Sequence, residues 1–293
     1  MTKTIVVTTP TGKIGSHVVH TLLREGHAVR AFVRSDANAD TMRAMGAEPV
    51  RIDLEGAIPG EAFASAHAAL LIAPVGETFE ANARRLIDAA ATVGVGRVVR
   101  VSIDSAFIEH GAILGRGHGA ADAHLAASGL RHTILRPSGF MQNFLGMAPM
   151  IQSGVIVAPT GDGAVPFIDA RDIADAAVAV LTDRTEIDGP VDVSGAEALT
   201  FAEIARRLTT LTGREVRHVS PAPKQAREGL RQAGFEGWLL DAMLDDTAHV
   251  AAGHGARVRD GVKRLTGRAP RTFDAFLAEN AGAFRPMDSG AAV

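Results

Sequence analysis

The stretch Ile5-Val6-Val7-Thr8-Thr9-Pro10-Thr11-Gly12-Lys13-Ile14-Gly15 decides how this chain is predicted to fold. Its first three residues are β-branched and predict a short buried strand, which the threonine, proline and glycine residues then break. Apolar residues return at helical spacing until Gly26, namely Ile14, Val18, Val19, Leu22 and Leu23. A strand, a glycine-containing turn and a helix in this order form the phosphate-binding opening of a Rossmann unit, where backbone N–H groups face a pyrophosphate.

The turn departs from the usual glycine pattern at one position. A TGxxGxxG fingerprint placed on Thr8 puts Thr9 at the first glycine and leaves only Gly12 and Gly15. Because a residue before proline favours the extended region, we expect Pro10 to hold Thr9 extended and to reshape the turn.

Strands and helices are predicted to alternate through the first hundred residues. Further apolar, β-rich runs lie at 28–33, 49–52, 69–73 and 97–102, and helical patterns lie near 40–45, 60–65 and 77–93. Another strand is predicted at 131–136. This alternation predicts an α/β fold with a Rossmann-type, doubly wound parallel sheet.

The carboxyl ends of the predicted strands supply the candidate cofactor residues. Arg34 ends the second strand, where an arginine suits the 2′-phosphate of NADP and an acidic residue would suit NAD. Asp53 follows the third strand and is placed to meet the adenine, while Pro74 ends the fourth at the level of the second ribose. A solvated arginine and a loop aspartate are the structural alternatives.

Composition excludes several classes of function. The 293 residues carry a net charge of −3 without a basic run, so no nucleic-acid partner is expected. The chain lacks cysteine and tyrosine, which excludes thiolate chemistry and a Tyr–Lys acid pair. No signal-peptide core or membrane-length apolar run is evident, so we expect a cytoplasmic protein without a membrane partner. No metal site is expected, because no HExxH motif occurs and His17 and His20 form only a weak i,i+3 pair.

The segment 103–117 is glycine-rich and is predicted to be an irregular lid or active-site loop. A helix is then predicted from about His118 to Ser128, with His118 and Asp122 one turn apart on one face. His118, poised near neutral pH, is a candidate proton donor that Asp122 could orient. Ser102, at the carboxyl edge of the fifth strand, is a candidate partner for a substrate oxygen. Water as the proton source and a histidine without chemistry remain open alternatives.

The sequence also predicts a smaller, mostly helical C-terminal lobe. We expect a Rossmann domain at 1–195 and the lobe at 196–293, with 139–165 contributing partly to the lobe. Thr200 and Glu203 are spaced as a capping box at the start of a helix. Residues 140–150 are rich in phenylalanine and methionine, which suits either a core or the wall of an apolar pocket. The tail 287–293 is predicted to be frayed.

Several strings of the sequence resemble the NmrA-like atypical short-chain dehydrogenase/reductases. The most specific lies at 133–143, Thr-Ile-Leu-Arg-Pro-Ser-Gly-Phe-Met-Gln-Asn. Others lie at 8–15 with Arg34, at 118–122, 128–130, 167–174 and 199–204, and at 271–274. The resemblance spans nearly the whole chain and implies an NADP-preferring Rossmann domain with a small C-terminal lobe and a cleft between them.

The resemblance also implies roles for individual residues. Contacts to the cofactor would come from Thr9, Thr11, Gly12, Lys13, Ile14, Arg34, Asp53, Leu54, Ala73 and Pro74. Phe140, Met141 and Asn143 would lie near the nicotinamide and the substrate. Asp122 stands where relatives more often carry glutamate, so the charge is kept but its reach is shorter.

Two functions from different classes follow. The leading prediction is an NADPH-dependent oxidoreductase, preferring NADPH to NADH, that transfers hydride to a flat apolar acceptor such as a quinone or conjugated carbonyl. The alternative is a non-catalytic NADP(H)-binding redox sensor that regulates a protein partner. A homodimer is a candidate assembly, and the sequence leaves the oligomeric state open.

Overall fold

The computed structural model describes residues 2–285, and the tail 287–293 lies outside this range. The chain forms two compact units, each built from separated segments. The first unit contains residues 2–137, 170–193 and 259–269, and the second contains residues 138–169, 194–258 and 270–285. Segment 259–269, which the sequence places in the C-terminal lobe, therefore belongs to the first unit.

The strands have the following bounds: β1 (Thr4–Val7), β2 (Ala28–Val33), β3 (Glu48–Arg51), β4 (Ala68–Leu71), β5 (Val98–Val101), β6 (His132–Pro137), β7 (Val155–Val157), β8 (Ala164–Val165), β9 (Gly189–Val193), β10 (Leu199–Thr200) and β11 (Arg217–Val219). The α-helices are α1 (Gly15–Arg24), α2 (Asp36–Met45), α3 (Phe79–Thr92), α4 (Ser105–Glu109), α5 (Ile113–Ala127), α6 (Asn143–Gly146), α7 (Ala148–Gln152), α8 (Ala170–Leu181), α9 (Phe201–Thr212), α10 (Pro223–Gln232), α11 (Gly237–Ala251), α12 (Gly261–Thr266), α13 (Phe273–Glu279) and α14 (Ala281–Phe284). A 3₁₀-helix spans Gly60–Phe63.

The first unit is built on a seven-stranded sheet in the order β3-β2-β1-β4-β5-β6-β9. All six neighbouring pairs are parallel. The strand order reverses between β1 and β4, and this switch point is where α/β sheets of this type bind ligands, beyond the carboxyl ends of the strands. The predicted fold class, a Rossmann-type doubly wound sheet, is confirmed.

Apolar residues on the strands and facing helices form the core of the first unit. The rings of Phe32 and Phe63 meet edge to face with centroids 4.9 Å apart. Helix α8 is almost entirely buried, with alanine and valine at most of its positions. Small side chains allow such a helix to lie close to its neighbours on every side.

The prediction of an irregular loop at 103–117 is wrong. This segment contains α4 and the first turns of α5, and His118 lies inside a helix that begins five residues earlier. Glycines within α5 permit close packing between elements: a Cβ on Gly115 would lie 2.0 Å from the carbonyl oxygen of Phe107 in α4. A Cβ on Gly117 would lie 2.4 Å from the Phe79 ring of α3.

The second unit is mostly helical and has two small sheets, β8 with β10 and β7 with β11. Its core contains the rings of Phe144, Phe167, Phe201 and Phe273, and the Phe144 centroid lies 5.0 Å from that of Phe167 and 5.2 Å from that of Phe273. The predicted capping box at Thr200 and Glu203 is present at the start of α9.

Among residues 2–285, none of the helices combines the length and the apolar character that crossing a membrane requires.

Candidate functional site

The turn after β1 folds back tightly on itself. Thr9 has a φ of +52°, in the left-handed region, so the expectation that Pro10 holds Thr9 extended is wrong. The carbonyl oxygen of Thr9 accepts a hydrogen bond from the Gly12 N–H at 3.1 Å. A Cβ on Gly15 would lie 2.2 Å from the same oxygen, so this close approach requires glycine there. Thr9 therefore adopts a backbone conformation that usually favours glycine.

Hydroxyl groups fasten this turn to the end of β4. The Oγ1 atoms of Thr8 and Thr9 both donate to the Ile72 carbonyl oxygen, at 2.9 and 2.8 Å. The Ile72 N–H donates in return to Thr8 Oγ1 at 2.7 Å. The two strands that flank the switch point therefore stay joined beyond the last residues of their ladder.

A cleft opens at the carboxyl ends of β1, β2, β3 and β4. It is lined by Thr8, Thr9, Pro10, Thr11, Phe32, Val33, Arg34, Asn38, Ile52, Leu54 and Pro74. Arg34 is exposed and makes no hydrogen bond or ion pair with any other residue in the described range. The cleft thus combines apolar walls with one guanidinium group that is available to an anion.

The amino terminus of α1 adds donors to this edge of the sheet. Among residues 2–285, the N–H groups of Thr11 and Ile14 donate to no protein acceptor. Partial burial lowers the pKa of the Lys13 ammonium group. Unpaired N–H groups at the start of a ten-residue helix favour an anion such as a pyrophosphate.

A buried polar network lies further along the sheet and is centred on Asp122 of α5. Its Oδ1 accepts from Nη1 of Arg100 on β5. Its Oδ2 accepts from Ser102 Oγ at 2.9 Å and from Arg136 Nε on β6 at 3.0 Å. Arg100 and Asp122 are 2% and 4% exposed, so each needs the other as a counter-ion.

The network continues to the edge strand of the sheet. Arg136 Nη1 donates to Ser105 Oγ at 3.4 Å, and Ser105 Oγ donates to Asp192 on β9. The Ser105 N–H also donates to Asp192, at 3.1 Å. Two arginines and two aspartates are thereby brought together, and their formal charges cancel.

His118 joins this network through Arg100 and not through Asp122. Arg100 Nη2 lies 3.1 Å from His118 Nδ1, and the Phe79 ring packs on the imidazole with centroids 4.8 Å apart. Burial, reinforced by the positive charge of Arg100, lowers the pKa of His118 to about 3. The prediction of a histidine poised near neutral pH and oriented by Asp122 is therefore wrong, because its ring is neutral above about pH 4.

The neighbouring Ser102 also differs from its predicted role. It is buried, and its hydroxyl proton is donated to Asp122. A substrate oxygen would have to compete with a charged acceptor for this proton. Ser102 therefore acts as a partner of Asp122 in this structure.

The sequence model of the NmrA-like family matches residues 1–232. The chain belongs to the NmrA-like family. It is 34% identical to the NAD(P)H azoreductase of Xenophilus azovorans over 96% of this chain and 99% of that relative.

Solved structures share this fold. An NADPH-dependent quinone oxidoreductase of Escherichia coli, solved with NADPH, is 25% identical and superimposes with a TM-score of 0.85, covering 94% of this chain and 99% of that one. The triphenylmethane reductase of Citrobacter sp. has the same fold and superimposes with a TM-score of 0.85 at 22% identity. The superposition covers 95% of this chain and 99% of that one.

The structure of this NmrA-like protein gathers only some of the predicted cofactor residues around the cleft. Those that line it are Thr9, Thr11, Arg34, Leu54 and Pro74. The others lie outside the lining, namely Gly12, Lys13, Ile14, Asp53 and Ala73. Asp53 is exposed and accepts from the Glu55 N–H at 3.0 Å, as a loop-capping aspartate does.

The three predicted substrate residues belong to the second unit. Met141 is buried, and its N–H donates to the Ile168 carbonyl oxygen at 2.9 Å. Phe140 is half-buried and Asn143 is exposed. Their contact with a substrate stays a prediction.

Sequence reasoning missed several residues of the NmrA-like site. Phe32, Asn38 and Ile52 line the cleft, and two of these are ordinary core residues in sequence patterns. Arg100 and Arg136 carried a clearer signal, because an arginine inside an apolar strand must be paired where the strand is buried.

Proposed function

We propose that this protein is an NADPH-dependent oxidoreductase that transfers hydride to a flat apolar acceptor such as a quinone, a conjugated carbonyl or an azo compound. The observation that carries the proposal is the cleft at the switch point, where Arg34 lies beside apolar walls and has no hydrogen-bond or ion-pair partner within residues 2–285. Named relatives along the whole chain, an NAD(P)H azoreductase and an NADPH-dependent quinone oxidoreductase, support the same activity.

The residues of the cleft fit the parts of NADPH. Phe32, Ile52 and Leu54 supply apolar surface for an adenine ring, and Arg34 supplies charge for a 2′-phosphate. The N–H groups of Thr11 and Ile14, which have no acceptor in the described part of the chain, suit the pyrophosphate. Arg34, and not an acidic residue, directly follows β2, and the first acidic side chain beyond it, Asp36, is exposed and pairs with Arg51 at 2.5 Å. Bound NADPH supplies the hydride.

The acceptor requires little acid chemistry from the protein. A quinone, enone or azo group accepts hydride when it is held against the reduced nicotinamide, so positioning accounts for most of the rate. A chain without tyrosine is compatible with this demand. Phe140, Met141 and Asn143 remain the candidate substrate contacts.

Cofactor choice provides the first test. Replacing Arg34 with alanine removes a charge-assisted contact worth roughly 1.5–3 kcal/mol, so NADPH affinity should fall about 10- to 150-fold while NADH affinity stays unchanged. Arg43→Ala, an exposed arginine of α2 paired with Asp40, is the matched control and should change neither affinity. Calorimetry that gives equal affinities for NADPH and NADH in the unmodified protein would contradict the proposal.

Turnover distinguishes the enzyme from the redox sensor. We expect absorbance at the NADPH band to fall when a panel of quinones, enones and azo dyes is added to the protein. Tight NADPH binding without oxidation by any acceptor would favour the sensor, with cofactor-dependent capture of a protein partner as its signature. A cytoplasmic location and a homodimer stay predictions from the sequence.

A further inference from the structure

The contact between His118 and Arg100 determines which ring nitrogen of His118 carries the proton. Arginine has only hydrogen-bond donors, so Arg100 Nη2, at 3.1 Å, requires an acceptor at His118 Nδ1. A neutral imidazole with an unprotonated Nδ1 carries its proton on Nε2. The geometry therefore selects the Nε2–H form of the ring.

The surroundings of Arg100 keep this arrangement fixed. Asp122 accepts from Arg100, from Ser102 and from Arg136, so three donors other than the imidazole share its charge. From α3 the ring meets Phe79, which is uncharged, and the acidic residue of α4, Glu109, is exposed. A second proton on the imidazole would face the Arg100 guanidinium and is strongly disfavoured.

The opposite nitrogen is available to a ligand. Within residues 2–285, His118 Nε2 has no hydrogen-bond partner, and the ring is only partly buried. In the pairing of β5 with β4, Arg100 lies opposite Leu71. Leu71 comes three residues before Pro74, which lines the cleft. A dinucleotide bound across the switch point has one end over β2, where Arg34 lies, and the other toward this side of the sheet.

We propose that His118 donates its Nε2–H, as a neutral hydrogen-bond donor, to the acceptor atom that becomes negative on hydride transfer, and that Arg100 is the positioning residue that fixes this tautomer. This inference rests on the proposed oxidoreductase function. The acceptor gains two electrons and one hydrogen nucleus as hydride and becomes an oxyanion or a nitrogen anion. One proton from solvent then neutralises that anion, and His118 keeps its own proton throughout.

The tautomer can be measured without turnover. In a long-range ¹H–¹⁵N spectrum of the full chain labelled at histidine, the His118 signals, assigned with His118→Gln, should show a protonated Nε2 and a bare Nδ1. They should not titrate between pH 5 and 8. A proton on Nδ1, or a titration near pH 6.5, would overturn the proposal.

Arg100 has a signature of its own. Arg100→Gln removes the positive charge and supplies an amide that can donate or accept, so the His118 pKa should rise and both tautomers should be populated. If that variant fails to fold, Arg100→Lys, which keeps a charged donor, should retain the Nε2–H form. An unchanged His118 spectrum in folded Arg100→Gln would exclude the positioning role.

Kinetics test the donor role separately. His118→Gln keeps an N–H donor and should retain kcat within about tenfold, whereas His118→Leu should lose about 10²-fold in kcat with little change in KM for NADPH. His20→Leu, an exposed histidine of α1, is the control and should match the unmodified protein. Equal rates for the Gln and Leu variants would overturn the donor role. NADPH oxidation by no acceptor at all would instead reject the proposed function and the donor role together, while the spectrum still reports the tautomer.

Discussion

Two glycine-containing segments of the first unit use the same residue type in different ways. In the turn from Thr8 to Gly15, the backbone meets itself, because a Cβ on Gly15 would lie 2.2 Å from the Thr9 carbonyl oxygen. In α5, the glycines meet other elements, since a Cβ on Gly115 would lie 2.0 Å from the backbone of α4. Both segments need close approach, but only the first is a turn.

The difference shows what a glycine in a sequence indicates. It marks a place where something comes too close for a side chain, and it does not say whether that neighbour lies in the same loop or in another helix. The turn should therefore respond to substitution in ligand binding, and the helix should respond in stability.

The largest effect is expected for Gly115→Ala. Its new methyl group would collide with backbone and not with a movable side chain, so we expect a loss of about 3 kcal/mol in the free energy of unfolding, measured by urea denaturation. Gly229→Ala is the matched control: it lies inside α10 with open space around it, and it should gain about 0.5–1 kcal/mol. An unchanged free energy of unfolding in Gly115→Ala would show that α4 moves to accommodate the methyl group.

Gly15→Ala should show that the turn, unlike α5, affects NADPH binding as well as stability. We expect a stability loss of about 2 kcal/mol and, in the protein that remains folded, a fall of at least tenfold in NADPH affinity, because the turn must open around Thr9. Calorimetry at a temperature where each variant is folded should find Gly115→Ala unchanged in affinity. Equal affinity losses in the two variants would remove the distinction.

Because His118 of α5 is neutral in the folded state, its protonation at low pH should destabilise the protein. Its pKa is about 3 in the folded state and near 6.5 when unfolded, so the unfolded chain binds the proton first as the pH falls. Its stabilising contribution is complete above about pH 6.5 and is lost toward pH 3, by up to about 1.4 kcal/mol per pH unit.

The control for this acid effect is the difference between the unmodified protein and His118→Gln. Burial raises the pKa of Asp246 to about 6, and a raised carboxyl pKa favours folding as the pH falls. That opposing contribution is common to both proteins and cancels in the difference. Parallel stability curves between pH 4 and 7 would contradict the depressed pKa of His118.

The smallest effect is expected at Thr9. Thr9→Gly relieves the strain of a left-handed backbone, about 1–2 kcal/mol. It also loses the hydrogen bond to Ile72 and raises the conformational entropy of the unfolded chain. The net change in the free energy of unfolding should therefore stay within about 1 kcal/mol. Thr9→Ala keeps the strained φ without the hydrogen bond and should be about 1 kcal/mol less stable than Thr9→Gly. The reverse order in thermal denaturation would show that φ is not the source of the cost.

Much of the sheet could be predicted from the sequence because its signals are local. The strand predicted at 28–33 has those bounds in the structure, and its neighbours differ by one or two residues. Parallel strands buried on both faces have continuous apolar runs, which are easy to recognise. The turn that begins at Thr8 and the position of Arg34 could be predicted from where β1 and β2 end.

The remainder depends on contacts between distant segments. Gly115 and Gly117 of α5 are explained by Phe107 and Phe79, and the charge state of His118 by burial and Arg100. Spacing along a helix suggested that Asp122 would orient His118, but the carboxylate has stronger partners on two strands. Asp122 therefore pairs with residues of two strands and not with the histidine of its own helix.

The discontinuous first unit has a consequence for synthesis of the protein. Strand β9 at the sheet edge is covered by α12, so closely that a Cβ on Gly261 would lie 2.1 Å from the Asp192 carbonyl oxygen. A ribosome makes the cofactor-side strands early but does not release α12 until about 270 residues have emerged. The edge at β9 therefore stays uncovered between the synthesis of β9 and that of α12, and a chaperone that shields that edge would act in this interval.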